Sequence, residues 1–80
     1  MAPPRLPRLT KRTRLRHDRV RDRWMLLAPE RGFILNPTAL AIVRTLDGNS
    51  SPSEIASRVG GPLEEVEAFL SRLSQAGLLE

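Results

Sequence analysis

The sequence predicts an α+β fold in which three short N-terminal antiparallel strands are followed by three helices. Before residue 36, apolar residues alternate with charged ones or form short runs, as strands require. After that point, helix-start signals precede apolar residues at helical spacing. A glycine turn at residues 60–62 joins the last two helices. This order of elements is typical of a winged helix-turn-helix-like architecture.

The first predicted strand covers residues 11–17. Thr13, Leu15 and His17 fall on one side of it, and arginines alternate with them on the other. Successive side chains of a strand point to opposite faces, so this pattern predicts a half-buried strand with a charged outer face.

Two further strands are predicted on either side of a turn. Residues 24–28 form an apolar run of strand length, and residues 33–35 form a shorter one. The turn is Pro29-Glu30-Arg31-Gly32, in which proline presets the φ angle of the first corner. Gly32 is expected to accept the positive φ that ends the turn.

Each helix begins at a recognisable signal. Asn36-Pro37 combines an N-cap residue with proline at the first helical position, and Asp47-Gly48 is expected to end that helix. Ser51-Pro52-Ser53-Glu54 is a capping box. The third helix is expected from about Pro62 to Ala76, before a left-handed cap at Gly77. The inward-facing residues are predicted to be Leu40, Val43 and Leu46, then Ile55, Ala56 and Val59, then Leu63, Val66, Phe69, Leu70 and Leu73, with Leu78 closing back on Leu73.

Composition and charge divide the chain into an arm and a body. With 40% hydrophobic and 28% charged residues, the 80-residue chain has the composition of one small globular domain. Residues 1–23 carry a net charge of +7 and residues 24–80 one of −3. We expect a flexible Pro/Arg-rich arm at residues 1–10 and a single domain at residues 11–80. The arm could bind nucleic acid or an acidic protein, reach a second copy to form a homodimer, or serve only as a solubilising tail.

Catalysis, metal binding and membrane insertion are not expected. His17 is the lone histidine, tyrosine and cysteine are missing, and the predicted caps account for Ser51 and Ser53. We therefore predict that the protein is not an enzyme and binds no metal or cofactor. Apolar runs are too short to span a membrane, and the first residues lack the apolar core of a signal peptide. The expected location is the cytoplasm.

The last helix is poorly suited to reading DNA bases. In a helix-turn-helix protein the first turn of this helix faces the major groove. Here that turn contains Glu64, Glu65 and Glu67, which the phosphates would repel. Specific nucleic-acid recognition is therefore not expected, although weak DNA binding through the arm remains an alternative.

A peptide that adds to the sheet as a further strand is a better-suited ligand than DNA. Residues 33–35 are the candidate sheet edge, and the last helix could form a groove beside it. Core packing alone is the simpler interpretation of Leu40, Val43, Leu63 and Val66, since a small domain must bury most of its apolar residues.

Several short motifs in order resemble the PqqD family over about residues 12–80. The family has a proline-glutamate-glycine turn, then "LN-x-TA", "DG", "EI" and a final "FL-x-x-L-x-x-x-GL" helix. Its last part is matched by Phe69-Leu70, Leu73 and Gly77-Leu78. Arg31 is a departure, since the family commonly has glycine directly after the glutamate. The other matching residues are Pro29, Glu30, Gly32, Asn36, Ala39, Asp47, Gly48 and Ile55.

The resemblance implies a non-catalytic peptide chaperone in pyrroloquinoline quinone (PQQ) biosynthesis. Such proteins bind the ribosomally made precursor PqqA and present it to the radical S-adenosylmethionine (SAM) enzyme PqqE. Related domains recognise leaders in other modified-peptide pathways, and the motif does not distinguish these pathways. A small winged-helix DNA-binding regulator is the further alternative. The resemblance implies a peptide groove formed by Phe33, Ile34, Leu35, Val66, Phe69, Leu70 and Leu73.

Overall fold

A computed structural model describes residues 6–80, and three strands precede three helices within them. The elements are β1 Arg14–Asp18, β2 Arg23–Ala28, β3 Arg31–Leu35, α1 Pro37–Val43, α2 Pro52–Val59 and α3 Leu63–Gln75. The predicted α+β class and the order of its elements are confirmed. In this part of the chain, no helix is long and apolar enough to cross a bilayer.

The strands form one antiparallel sheet in the order β1-β2-β3. Leu15, Leu26 and Phe33 lie opposite one another across it and pack in the core. Arg14 and Arg16 point to the other face and are exposed, so the predicted alternation in the first strand is confirmed. The strand begins three residues later than predicted. A turn precedes it, in which the Thr13 N–H donates to the Thr10 carbonyl oxygen at 3.1 Å.

The hairpin between β2 and β3 turns on two residues, Pro29 and Glu30. The prediction that Gly32 ends this turn with a positive φ is wrong, because Gly32 lies inside β3 and has no such angle. Its small size matters on the outer face of the sheet. A Cβ atom at Gly32 would lie 3.3 Å from Leu27 Cδ2 and 3.7 Å from Met25 Cε.

Helix α1 is shorter than its apolar spacing predicts. It ends at Val43, and Leu46 lies beyond it, although Leu46 is buried. The chain tightens after the helix, because the N–H of Thr45 donates to the Ile42 oxygen and that of Leu46 to the Val43 oxygen. These three-residue turns bring Leu46 back to the core without continuing the helix.

Helices α2 and α3 are bounded largely as predicted. Ser51 Oγ accepts from the Glu54 N–H at 3.2 Å, and Glu54 Oε1 accepts from the Ser51 N–H at 3.1 Å, which completes the capping box. Past α3, Gly77 has a φ of 78° and the Leu78 N–H donates to the Leu73 oxygen at 2.9 Å. The predicted closure of Leu78 on Leu73 is therefore confirmed.

The core lies between the inner face of the sheet and the three helices. Every element except β1 contributes at least one buried apolar side chain. Leu63, predicted to face inward, is instead 40% exposed in the first turn of α3. The buried apolar residues are Leu26, Leu35, Ile42, Val43, Leu46, Ile55, Ala56, Val66, Leu70, Leu73 and Leu78.

Residues 7–10, which the sequence assigns to a mobile arm, contact the domain. Arg8 bridges to Asp47 and Leu9 to Leu79 by backbone pairing. Arg8 Nε also lies 2.9 Å from Glu80 Oε2. These contacts attach this segment to the C-terminal residues of the fold. Residues 1–5 of the predicted arm lie outside the described residues.

Candidate functional site

A groove of about 390 Å³ opens between β3 and α3. It lies at an edge of the sheet, because β3 is the last strand in the sheet order. Most of its lining is apolar. The lining residues are Arg31, Phe33, Ile34, Leu35, Phe69, Arg72, Leu73, Gln75 and Ala76.

The backbone of β3 is unpaired on the groove side. Within residues 6–80, β3 pairs with β2 alone. Alternate residues of an antiparallel edge strand point their N–H and C=O groups away from the partner strand. An extended peptide can accept and donate hydrogen bonds there as a fourth strand.

The structure brings five of the seven predicted groove residues to this groove. Phe33, Ile34 and Leu35 line it from β3, and Phe69 and Leu73 line it from α3. Of these five residues, Ile34 has the largest exposed fraction, 60%.

Val66 and Leu70 are not part of the groove. Only 1% of Val66 and 7% of Leu70 is exposed, and both pack in the core. Val66, Leu70 and Leu73 are spaced four and three residues apart along one buried stripe of α3, and of these three Leu73 alone also lines the groove. Val66 and Leu70 point from α3 into the core, and their part in the peptide site stays a prediction.

Sequence reasoning missed four groove residues: Arg31, Arg72, Gln75 and Ala76. The helical period could have found two of them, since positions 72 and 76 lie three and seven residues after Phe69 on the same face. Arg31 was expected in the turn, but it is the first residue of β3.

The family-motif residues of α1 and α2 shape the scaffold rather than the groove. Asn36 Oδ1 accepts from the Ala39 N–H at 2.7 Å and so caps α1 directly after β3. Ile55 is fully buried in the core.

The Asp47-Gly48 motif organises the connection between α1 and α2. Asp47 Oδ1 accepts from the Asn49 N–H at 2.9 Å. Gly48 has a φ of 81°, and its N–H donates to the Pro7 oxygen at 3.2 Å. The motif therefore anchors the segment that precedes β1.

His17 contributes to packing at the other end of the sheet. Its ring centroid lies 4.8 Å from that of Trp24, and its Nε2 lies 3.1 Å from Asp22 Oδ1. Arg44 Cζ lies 5.0 Å from the Trp24 ring centroid, a cation–π distance. Within residues 6–80, no group of three His, Cys, Asp or Glu side chains is placed to hold a metal ion.

Comparison with known proteins identifies the group to which this fold and groove belong. The family model "Coenzyme PQQ synthesis protein D (PqqD)" matches residues 23–79. The chain belongs to the PqqD family. The match includes β2, β3 and all three helices, and hence both walls of the groove.

Individual relatives agree with the family match. The chain is 40% identical over 74 residues to the PqqA binding protein of Gluconobacter oxydans, covering 82% of this chain and 77% of that one. It is 46% identical over 83 residues to the bifunctional coenzyme PQQ synthesis protein C/D of Methylorubrum extorquens. That alignment covers 94% of this chain but only 22% of the relative, so the chain spans about a fifth of that protein's length.

A solved PqqD structure has the same fold. The solution structure of the PqqD truncation of Methylobacterium extorquens PqqCD superimposes with a TM-score of 0.71 at 38% identity. The superposition covers 94% of this chain and 88% of that one. That protein is described as a functional, stand-alone recognition element for ribosomally synthesized and post-translationally modified peptides (RiPPs).

Proposed function

We propose that this PqqD-family chain is a non-catalytic peptide chaperone of PQQ biosynthesis. It binds the precursor peptide PqqA and presents it to the radical SAM enzyme PqqE. One observation carries the proposal: an unpaired strand edge borders an apolar groove, in a chain whose relatives are named PqqA binding proteins.

Binding by strand addition uses both features. The backbone of β3 supplies hydrogen bonds that hold any extended peptide, and the groove selects among side chains. Side chains of the added strand alternate between two faces. One set faces the groove beside Phe33 and Leu35, and the other lies beside the exposed Ile34 on the outer face.

Presentation to a modifying enzyme follows from the limited size of the site. The five residues of β3 can pair with about five residues of an added strand. Any longer peptide extends beyond the groove, so its remaining residues are free to enter an active site on a partner. In this proposal the chain contributes no reacting group. Its histidine, His17, already contacts the Asp22 carboxylate and the Trp24 ring. Because PqqA is a ribosomal product, we place this step in the cytoplasm.

A titration monitored by nuclear magnetic resonance tests the proposal. Isotope-labelled protein is titrated with synthetic PqqA, and the amide signals of residues 31–35 are expected to shift and saturate. A DNA duplex added at the same ionic strength serves as the comparison. Unchanged β3 signals with PqqA would contradict the proposal, and saturable shifts with the duplex alone would favour the DNA-binding alternative.

A second measurement addresses the enzyme partner. PqqE immobilised on a sensor is expected to retain more of the chain when PqqA is present than when it is absent. Equal retention in the two cases would show that peptide binding and enzyme docking are not coupled.

A further inference from the structure

The groove is the central member of three connected depressions along α3. Toward the hairpin, it shares Arg31 and Ala76 with a depression that also includes Arg12 and Glu30. Toward α1, it shares Phe69 and Arg72 with a depression that also includes Glu65. The three form one trough from the start of α3 to its end.

The length of this trough sets the length of its ligand. Positions 65 and 75 are ten residues apart on α3, or about 15 Å at 1.5 Å per residue. An extended peptide rises about 3.3 Å per residue, so about five residues occupy that distance.

The central groove has a positive charge that nothing in it balances. Its lining contains two guanidinium groups, Arg31 and Arg72, and no carboxylate. Neither arginine lies within ion-pair distance of an acidic group in the described part of the chain, where the ion pairs involve Arg8, His17 and Arg23. Glu30 and Glu65 line only the outer two depressions. Both arginines are exposed and so can approach a ligand.

We propose that Arg31 and Arg72 select the peptide by charge. The preferred ligand is an extended segment of about five residues, with apolar side chains facing the partly buried Phe33 and Phe69 and a carboxylate side chain next to them. Guanidinium groups suit this role because their planar donors match a carboxylate with two parallel hydrogen bonds. The inference rests on the proposed peptide-binding function and adds the chemical class of the ligand.

Charge reversal provides the test. We expect Arg31→Glu and Arg72→Glu each to weaken PqqA binding by about five- to tenfold, measured by calorimetry. Arg72→Gln should weaken it less, because it removes attraction without adding repulsion. Arg19→Glu is the matched control, since Arg19 is exposed in the β1–β2 turn and does not line the groove. It makes the same change in net charge and is expected to alter affinity less than about twofold. Thermal unfolding of each variant establishes that it is folded.

A charge swap identifies the partner carboxylate. PqqA peptides are prepared with each Asp or Glu replaced singly by Asn or Gln. One of these peptide replacements should weaken binding to the unaltered protein. The same replacement should hardly change binding to the Arg72→Glu or the Arg31→Glu variant. Lysine at that peptide position should restore binding to the corresponding glutamate variant.

The possible outcomes separate the two proposals. If the unaltered protein binds PqqA but the groove variants match Arg19→Glu, or no lysine peptide rescues them, charge selection is wrong and peptide binding stands. If the unaltered protein does not bind PqqA, both proposals are overturned. If affinity for PqqA falls only in the groove variants, and a lysine peptide restores it, both proposals are supported.

Discussion

The side-chain oxygen of Asn36 accepts a hydrogen bond from the backbone N–H of Ala39 at 2.7 Å. This bond caps α1 one residue after β3 ends, so it sets the direction in which the chain leaves the groove-forming strand. It also gives a physical role to two residues of the family motif. Asn36 and Ala39 bind each other and lie beside the groove rather than in its central part.

Loss of this cap should lower stability. We expect Asn36→Ala to reduce the free energy of unfolding by about 1 kcal/mol, because the Ala39 N–H loses its acceptor. Asn36→Asp should keep most of the stability, since its carboxylate accepts the same bond. Denaturant unfolding followed by the fluorescence of Trp24 measures both. Equal losses in the two variants would show that the amide group, and not the cap, is required.

Gly48 should be the glycine least tolerant of alanine. It combines a φ of 81° with a nearby side chain, since an added Cβ atom would lie 3.1 Å from Arg8 Cδ. We expect Gly48→Ala to cost about 1–2 kcal/mol. Gly60→Ala should cost less, because Gly60 has a positive φ but no atom within 4 Å of the added Cβ. Gly61→Ala, without a positive φ, should cost least. Any other order in denaturant unfolding would contradict this argument.

Truncating an exposed or a buried apolar residue should separate binding from folding. Ile34 is 60% exposed, so Ile34→Ala should change stability by less than about 0.5 kcal/mol and yet weaken PqqA binding several-fold. Leu70 is a buried residue of α3, and Leu70→Ala should cost about 2–5 kcal/mol of stability. Calorimetric binding and denaturant unfolding of both variants check this. Unchanged peptide affinity in Ile34→Ala would argue against a ligand at the β3 edge.

The capping box of α2 should make stability depend on acidity. Hydrogen bonds from the backbone and side chain of Ser51, aided by the charge of Arg58, lower the pKa of Glu54 below its usual value. Because its folded-state pKa is the lower one, Glu54 contributes stability above its unfolded-state pKa of about 4.3 and loses it as the pH falls through the folded-state pKa.

The variant Glu54→Gln isolates this effect. We expect the unaltered protein to be more stable than Glu54→Gln at neutral pH, and the difference to shrink as the pH falls below about 4. Denaturant unfolding of the two proteins across this range measures it. A difference that stays constant with pH would show that the charge of Glu54 plays no part in the cap.

Ser50 should tolerate removal of its hydroxyl group. The residue is 1% exposed, and its Oγ has no hydrogen-bond partner within residues 6–80. An unpaired buried hydroxyl lowers stability, so Ser50→Ala should leave the free energy of unfolding unchanged or raise it by about 1 kcal/mol. Ser53→Ala, on the exposed side of α2, is the matched control. A clear loss in Ser50→Ala alone would reveal a buried hydrogen bond, for example to a water molecule.

The local elements were predictable because their signals are local. Asn36-Pro37 and Ser51-Pro52-Ser53-Glu54 satisfy helix-terminal N–H groups through residues three positions away, so the chain itself encodes both helix starts. Strand alternation likewise predicted the inner and outer faces of β1. The end of α1 was not predictable this way, because Leu46 keeps the helical spacing of a core residue while lying outside the helix.

By itself, the sequence determined the α+β class, the order of the elements, the helix caps and the strand edge at residues 33–35. It also carried the motifs that resemble the PqqD family. Only the tertiary structure decided which face of α3 borders that edge. Apolar residues lie on two neighbouring stripes of α3, one that contains Phe69 and one that contains Val66 and Leu70. Periodicity alone therefore cannot tell which stripe borders the groove and which lies in the core. The packing of α3 into the shared core removes one stripe from solvent and leaves the other open, with Arg31 and Arg72 along the same groove.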